Sequence, residues 1–301
     1  MGTDAPRDTA RFMKQTAFNN QLRIASFLFM LFACFAVTTS GQDIEKLAEL
    51  VRTGSTEQKR DSLFDLRNLR TAAASRAAVP ALSDADAIVR ATAASSIVFL
   101  PETELAVYLR PLLSDKDAFV RREAAYSLRN DRTGIATSAL IKLLLEDSVM
   151  EVRTAAAVAL GSGDSSAVEA LTRILAKKPK DDNEFLRRSA ARSIGQIAET
   201  VRGGRRQNVT PQDFLPEKFK YTALADMPAA SAPQFRQAVT VLLKVAANSK
   251  ETDDTRREAA FALGGIGDRS AVAFLTANLT NKDTYLAEIC REALLKLPKP
   301  E

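Results

Sequence analysis

Histidine and tryptophan are both absent from the 301 residues. The first absence removes Ser-His-Asp and Cys-His nucleophilic sites, histidine-ligated zinc and every histidine general base. Aromatic residues make up only 6% of the chain and glycine occurs 12 times, so the sequence describes many small helix–helix contacts rather than one large core. Charge is nearly balanced at +5, which lacks the strong basic stripe of a general nucleic-acid binder.

Long apolar runs are scarce too. The one uncharged stretch, IASFLFMLFACFAV at residues 24–37, is 14 residues long, shorter than the roughly 20 needed to span a membrane but the length of a signal h-region. Arg7, Arg11, Lys14 and Arg23 precede it and the small residues TTSG follow at 38–41. The expectation is a signal peptide over residues 1–41, with Met13 as an alternative true start, cleavage after Gly41 and a periplasmic or secreted chain. The alternatives are an uncleaved anchor or a lipidated Cys34, although bulky Phe32 in Leu31-Phe32-Ala33-Cys34 departs from a lipoprotein pattern. A membrane contact is expected only through such an amino terminus. Removing residues 1–41 takes four basic and two acidic side chains, lowers the formal charge to +3 and leaves Cys290 as the one cysteine, so no intramolecular disulfide can form.

What the chain has in abundance is one sentence repeated. EVRTAAAVALGSGDSSAVEAL at 151–171 returns as TRREAAFALGGIGDRSAVAFL at 255–275. Five arginines, Arg90, Arg121, Arg153, Arg187 and Arg256, are each followed at plus three and plus four by two alanines and at plus seven by Leu or Ile. These positions share one face of a 3.6-residue helix, so each copy predicts an amphipathic helix with a narrow alanine stripe. The first four anchors are 31, 32 and 34 residues apart, and the step from Arg187 to Arg256 is 69. Degenerate anchors at Arg60 and Arg291 bring the count to seven. A second apolar segment follows each anchor helix across turns such as GSGD and GGIGD, where glycine is expected in the left-handed C-cap conformation and Asp or Ser at the next N-cap.

Residues 43–301 resemble the HEAT repeat, in particular the short variety first associated with phycobilisome lyases, through V-R-x-x-A-A-x-x-L-G-x-x-G-D-x-x-A-V-x-x-L in residues 152–171 and 255–275. The resemblance implies an all-α fold, an α-solenoid of about six to seven stacked helix-turn-helix repeats over residues 42–301. It does not imply one activity, since fold does not set function. The iron-binding hydroxylases of this family use His-Glu pairs that the chain lacks. A bilin-lyase role conflicts with export.

Asp84, Asp115, Asp147 and Asp181 each lie six residues before Arg90, Arg121, Arg153 and Arg187. This spacing suits an aspartate at or near an N-cap that also meets an arginine of its own or an adjacent repeat, a structural ladder. An acidic metal track including Asp181-Asp182 and Asp253-Asp254 is the alternative. Cys290, just before Arg291, occupies the slot of Val89, Val120 and Val152 in other repeats, a position for a small buried hydrophobe or, alternatively, a reactive or intermolecular thiol.

The long step contains an insertion at residues 202–231, within the fifth repeat, rich in Gly and Pro. Arg202, Arg205, Arg206, Lys218 and Lys220 outnumber Asp213, Glu217 and Asp226, and Phe214, Phe219 and Tyr221 interleave with them. Arginine and aromatic residues anchor protein interfaces, so Arg205, Arg206, Phe214, Lys218, Phe219, Lys220 and Tyr221 are candidate partner-binding residues, unless the aromatics pack back on the helices. The sequence thus points to a non-enzymatic, cofactor-free and metal-free exported scaffold for a protein or peptide. A lyase-like or other small-molecule enzyme and a self-assembling envelope element remain the alternatives.

Overall fold

In the computed structural model, residues 41–180, 182–202 and 232–298 are described. All regular structure among them is helical. The helices are α1 (41–53), α2 (Thr56–Asn68), α3 (Ala72–Ala78), α4 (Ala87–Ser96), α5 (Glu102–Leu109), α6 (Ala118–Ser127) and α7 (Thr137–Glu146), followed by α8 (Met150–Leu160), α9 (Val168–Leu175), α10 (Glu184–Val201), α11 (Pro233–Ala247), α12 (Asp253–Ile266), α13 (Val272–Ala277) and α14 (Thr284–Leu295). None of them is long and apolar enough to cross a membrane.

Two layers result. The even-numbered helices stack in sequence order, α2 on α4, α4 on α6 and so on to α14. Among the odd-numbered helices, α7, α9 and α11 stack beside them. The alanine pairs make the first layer possible: Ala93, Ala94, Ala124, Ala125, Ala156, Ala157, Ala190, Ala191, Ala259 and Ala260 are all fully buried between neighbouring even helices. With only a methyl group at each crossing, backbones approach closely, and the leucines and isoleucines at plus seven fill the space beyond. The layer continues unbroken from α10 to α12, although residues 203–231 separate their sequences.

Both ends of the anchor series take a different register from the one the sequence suggests. In α2 the fourth helical residue, where α4 has Arg90, is Lys59 rather than Arg60, because Ser62, Leu63 and Leu66 are the buried positions while Phe64 is 59% exposed. In α14 that position is Ala287, and Arg291 is exposed. Cys290 accordingly stands where the first alanine of each pair stands, not where the valines do.

Turn chemistry follows the sequence at one site and departs at another. Gly267 ends α12 with φ 77°, a left-handed conformation that glycine adopts without strain, and Asp268 then accepts a hydrogen bond from the Ser270 backbone N–H. Gly161 instead ends α8 in ordinary right-handed geometry, φ −62°. Its small size is needed for a different reason: a Cβ there would lie 2.7 Å from Ser193 Oγ of α10.

Candidate functional site

Each anchor arginine, fourth in its helix, turns back to the carbonyls that the preceding helix and linker leave without partners. Arg90 donates to the carbonyls of Asp84 and Ala85, Arg121 to those of Asp115 and Lys116, Arg153 to Leu144 and Arg256 to Ala246. The remaining edge of the guanidinium then reaches forward. Arg90 forms two bonds of 2.8 Å with Asp115, and Arg121 bonds Asp147 at 2.7 and 3.0 Å. Lys59 opens the series on Asp84 at 2.6 Å.

Asp84, Asp115 and Asp147 are therefore not N-caps. They lie two residues earlier and accept the backbone N–H of Asp86, Asp117 and Val149, and the side chains of Asp86 and Asp117 do the capping. Asp115 is held below the ordinary carboxylate range chiefly by the Arg90 bond, against the opposing effect of burial. Burial is the largest single influence on Asp84 and Asp147 and pushes upward, but the Lys59 or Arg121 bond, the backbone N–H and nearby cations together lower both.

The series changes partners where the spacing breaks. Asp181 lies outside the described residues; Arg187 pairs forward with Glu251, 64 residues later, at the entry to α12. Arg187 is fully buried and also holds the carbonyls of Ile174, Leu175 and Lys177 at the end of α9. Arg153 makes no carboxylate pair among the described residues; its bond is the one to Leu144. At the last junction the role passes from Arg256 to Arg257, which bonds Asp283 at 2.8 and 2.9 Å. Asp253 pairs with Arg256, and Asp254 with Arg257 and Arg188.

Residues Arg205, Arg206, Phe214, Lys218, Phe219, Lys220 and Tyr221 fall outside the described residues. Arg202, which the sequence assigns to the insertion, belongs to the end of α10. It is buried and donates to the carbonyls of Gly264, Gly265 and Lys296, one turn beyond Glu199, which pairs with Lys296 at 2.9 Å. These bonds fix the point from which residues 203–231 depart. Cys290 is fully buried and its thiol is pushed up to about 12 by burial first and Asp283 second, so neither metal capture nor exchange is open to it in the packed state.

The even helices also present an outward row that the repeat pattern obscured. The second residue of α6, α10 and α14 is Phe119, Phe185 and Tyr285, exposed by 40%, 63% and 50%. An arginine lies over each ring: Arg122 at 4.7 Å, Arg188 at 5.4 Å and Arg257, from the neighbouring helix, at 5.3 Å. The position two residues before Arg121 and Arg187 gives Phe119 and Phe185, whereas Tyr285 stands two before Ala287 and could not be found from Arg291. Beside Arg188 the face deepens into a groove of about 330 Å³ between α8 and α10 and the turn after α6, bounded by Arg129, Asn130, Arg188, Ser189, Arg192 and Gln196.

Stacked helix pairs with one repeating interface define an α-solenoid. Residues 75–161 match HEAT repeats and residues 255–281 match the PBS lyase HEAT-like repeat, so these two segments carry the HEAT-type repeat. A solved engineered protein aligns with a TM-score of 0.55 at 22% identity, over 84% of this chain and 67% of its own. A designed armadillo repeat protein in complex with the peptide (KR)4 aligns over 83% of this chain and 98% of its own, at 15% identity and a TM-score of 0.49. The complex of CpcE and CpcF of phycocyanin lyase from Nostoc sp. PCC7120 aligns over 84% and 87%, at 22% identity and a TM-score of 0.47. At these identities the likeness is one of fold. Among curated proteins none matches the chain.

Proposed function

We propose that this chain is a non-enzymatic, exported scaffold that binds a protein or peptide along the outward row of its even helices. The observation that carries the reading is the repetition of an exposed aromatic ring under an arginine at Phe119, Phe185 and Tyr285. Exposed rings cost solvation unless something covers them, and rings and arginines are the side chains on which interfaces concentrate binding energy. The adjoining groove is lined by arginines, amides, hydroxyls and one valine, with no general base among them, which suits holding a chain better than transforming a small molecule. The apolar run at 24–37 behind basic residues supports placing the scaffold outside the cytoplasm.

Residues 203–231 are a second contact element in this reading, on the strength of their arginines and aromatics, and they follow directly on the buried Arg202. The test is a quantitative pull-down from native extracts with the full chain, a Phe119→Ala/Phe185→Ala variant, and a chain whose residues 203–230 are replaced by a short Gly-Ser linker. Partners enriched on the wild type and lost with the aromatic variant support the row as the site. Loss with the linker variant alone moves the site to the insertion. Identical capture by all three chains overturns both assignments.

A further inference from the structure

We infer that the groove between α8 and α10 receives a carboxylate-rich segment of the partner, an acidic peptide rather than a basic or neutral one. The inference rests on the scaffold reading above and assigns the chemistry of what is bound. Arg129, Arg188 and Arg192 all border the groove, and no carboxylate stands among its lining side chains. Three positive charges converging on one concavity focus the field there, although the chain as a whole is nearly neutral.

The arginines retain capacity to bind. Arg129 is exposed, and its side chain donates to a backbone carbonyl, that of Tyr126, rather than to a carboxylate of the described residues. Arg188 contacts Asp254 through one nitrogen at 3.0 Å, and Arg192 contacts Glu258 through one nitrogen at 3.4 Å, longer than a good charged bond. A guanidinium carries five N–H donors, so each keeps a planar edge for a bidentate carboxylate. Glu258 spends only one oxygen on Arg192; its other oxygen is buried without a partner. The neutralisation of Arg192 from below is thus incomplete.

The remaining side chains suit a peptide more than a small ion. Asn130, Ser189 and Gln196 offer neutral donors and acceptors for peptide groups, and Phe185 stands exposed next to Arg188 for an apolar neighbour. Even helices pack roughly 8–10 Å apart, close to the rise of three residues of extended chain at about 3.3 Å each. An extended segment of such a peptide therefore runs across successive helices.

The experiment is fluorescence anisotropy with labelled twelve-residue peptides of alternating Glu/Ser, Lys/Ser and Asn/Ser, titrated with the full chain. Arg129→Glu/Arg192→Gln alters the groove and Arg67→Glu, on exposed α2, is the control. Circular dichroism first verifies that all three chains are equally helical, and Arg129→Glu alone serves if the double variant is not. Preference for the Glu/Ser peptide, weakened roughly tenfold or more for each arginine removed, unchanged in the control and reduced by salt, supports the inference. Preference for either other peptide, or Glu/Ser binding that ignores the groove variants, overturns it and leaves the scaffold reading standing. Binding of none of the three also overturns it, and an empty pull-down in addition would remove the scaffold reading.

Discussion

Glu258 is the side chain whose environment fits its chemistry least. Burial raises it to about 7, with Arg192 and Arg188 pulling down and Asp254 pushing up. An acid whose folded value lies above its ordinary 4.5 binds more protons folded than unfolded between those two values. Stability therefore falls as pH rises from about 4.5 to 7 and stays lower above, by roughly 3 kcal/mol if the whole shift is realised. Glu258→Gln keeps the shape and removes the titration. Urea unfolding at pH 5 and pH 8 should show a smaller difference between the two conditions in the variant than in the wild type, with the gain at pH 8. An unchanged difference would mean that another group sets the slope. The repeat pattern does not single out Glu258, which lies two residues after Arg256 and just before Ala259. Its burial comes from the tight α10–α12 crossing, where Gly265 lies against the Gly195 carbonyl, a contact that local pattern does not encode.

The helix pairs themselves were largely legible. The apolar periodicity of the sequence runs over residues 184–201 and 232–249, bounded by Asn, Pro and Asn, and α10 and α11 occupy those stretches to within two residues. The misreadings cluster at the two ends of the array and at the junction where the period breaks. Lys59 lost to Arg60 and Ala287 to Arg291 because a terminal helix has a neighbour on one side only, so its alanine signature is relaxed and the motif drifts. Arg187 found Glu251 because the stacking of α10 on α12 is set in space, not by sequence interval. What no pattern search exposes is a close crossing made by one glycine. In a helix interior Gly264→Ala should stabilise by about 0.5–1 kcal/mol through backbone entropy alone. Here the new Cβ would lie 2.6 Å from Ala293 Cβ and 2.7 Å from its Cα, which is backbone and cannot rotate away. The clash should win, lowering stability by roughly 1–3 kcal/mol in denaturant melts. Gly41→Ala, with nothing within 4 Å, should show no such loss, and equal effects at both positions would refute the crossing as the cause.

Because each repeat touches only its neighbours, stability along the solenoid is a sum of junctions, and the Arg/Lys–Asp pairs are bonds that link one repeat to the next. Asp84, Asp115, Asp147 and Asp283 are all lowered in the folded chain while their partners remain cationic. A depressed carboxylate contributes stability that is fully present above its unfolded value, near 3.8, and is lost as pH falls through the folded value. The junctions should therefore loosen together below about pH 4, just under the Glu258 window, whose lower edge is near 4.5. Asp115→Asn tests this at the α4–α6 junction: the amide oxygen can still accept the Asp117 N–H, but the charge facing Arg90 is gone. At pH 7 the variant should lose about 1–3 kcal/mol, and its melt should broaden or split as the repeats amino-terminal to α6 uncouple from the rest. At pH 2, below the unfolded value near 3.8, the difference between the two chains should be smaller. A loss of equal size at both pH values would assign the effect to packing and not to the charge, and a melt that stays sharp would show that the alanine crossings alone hold the array together.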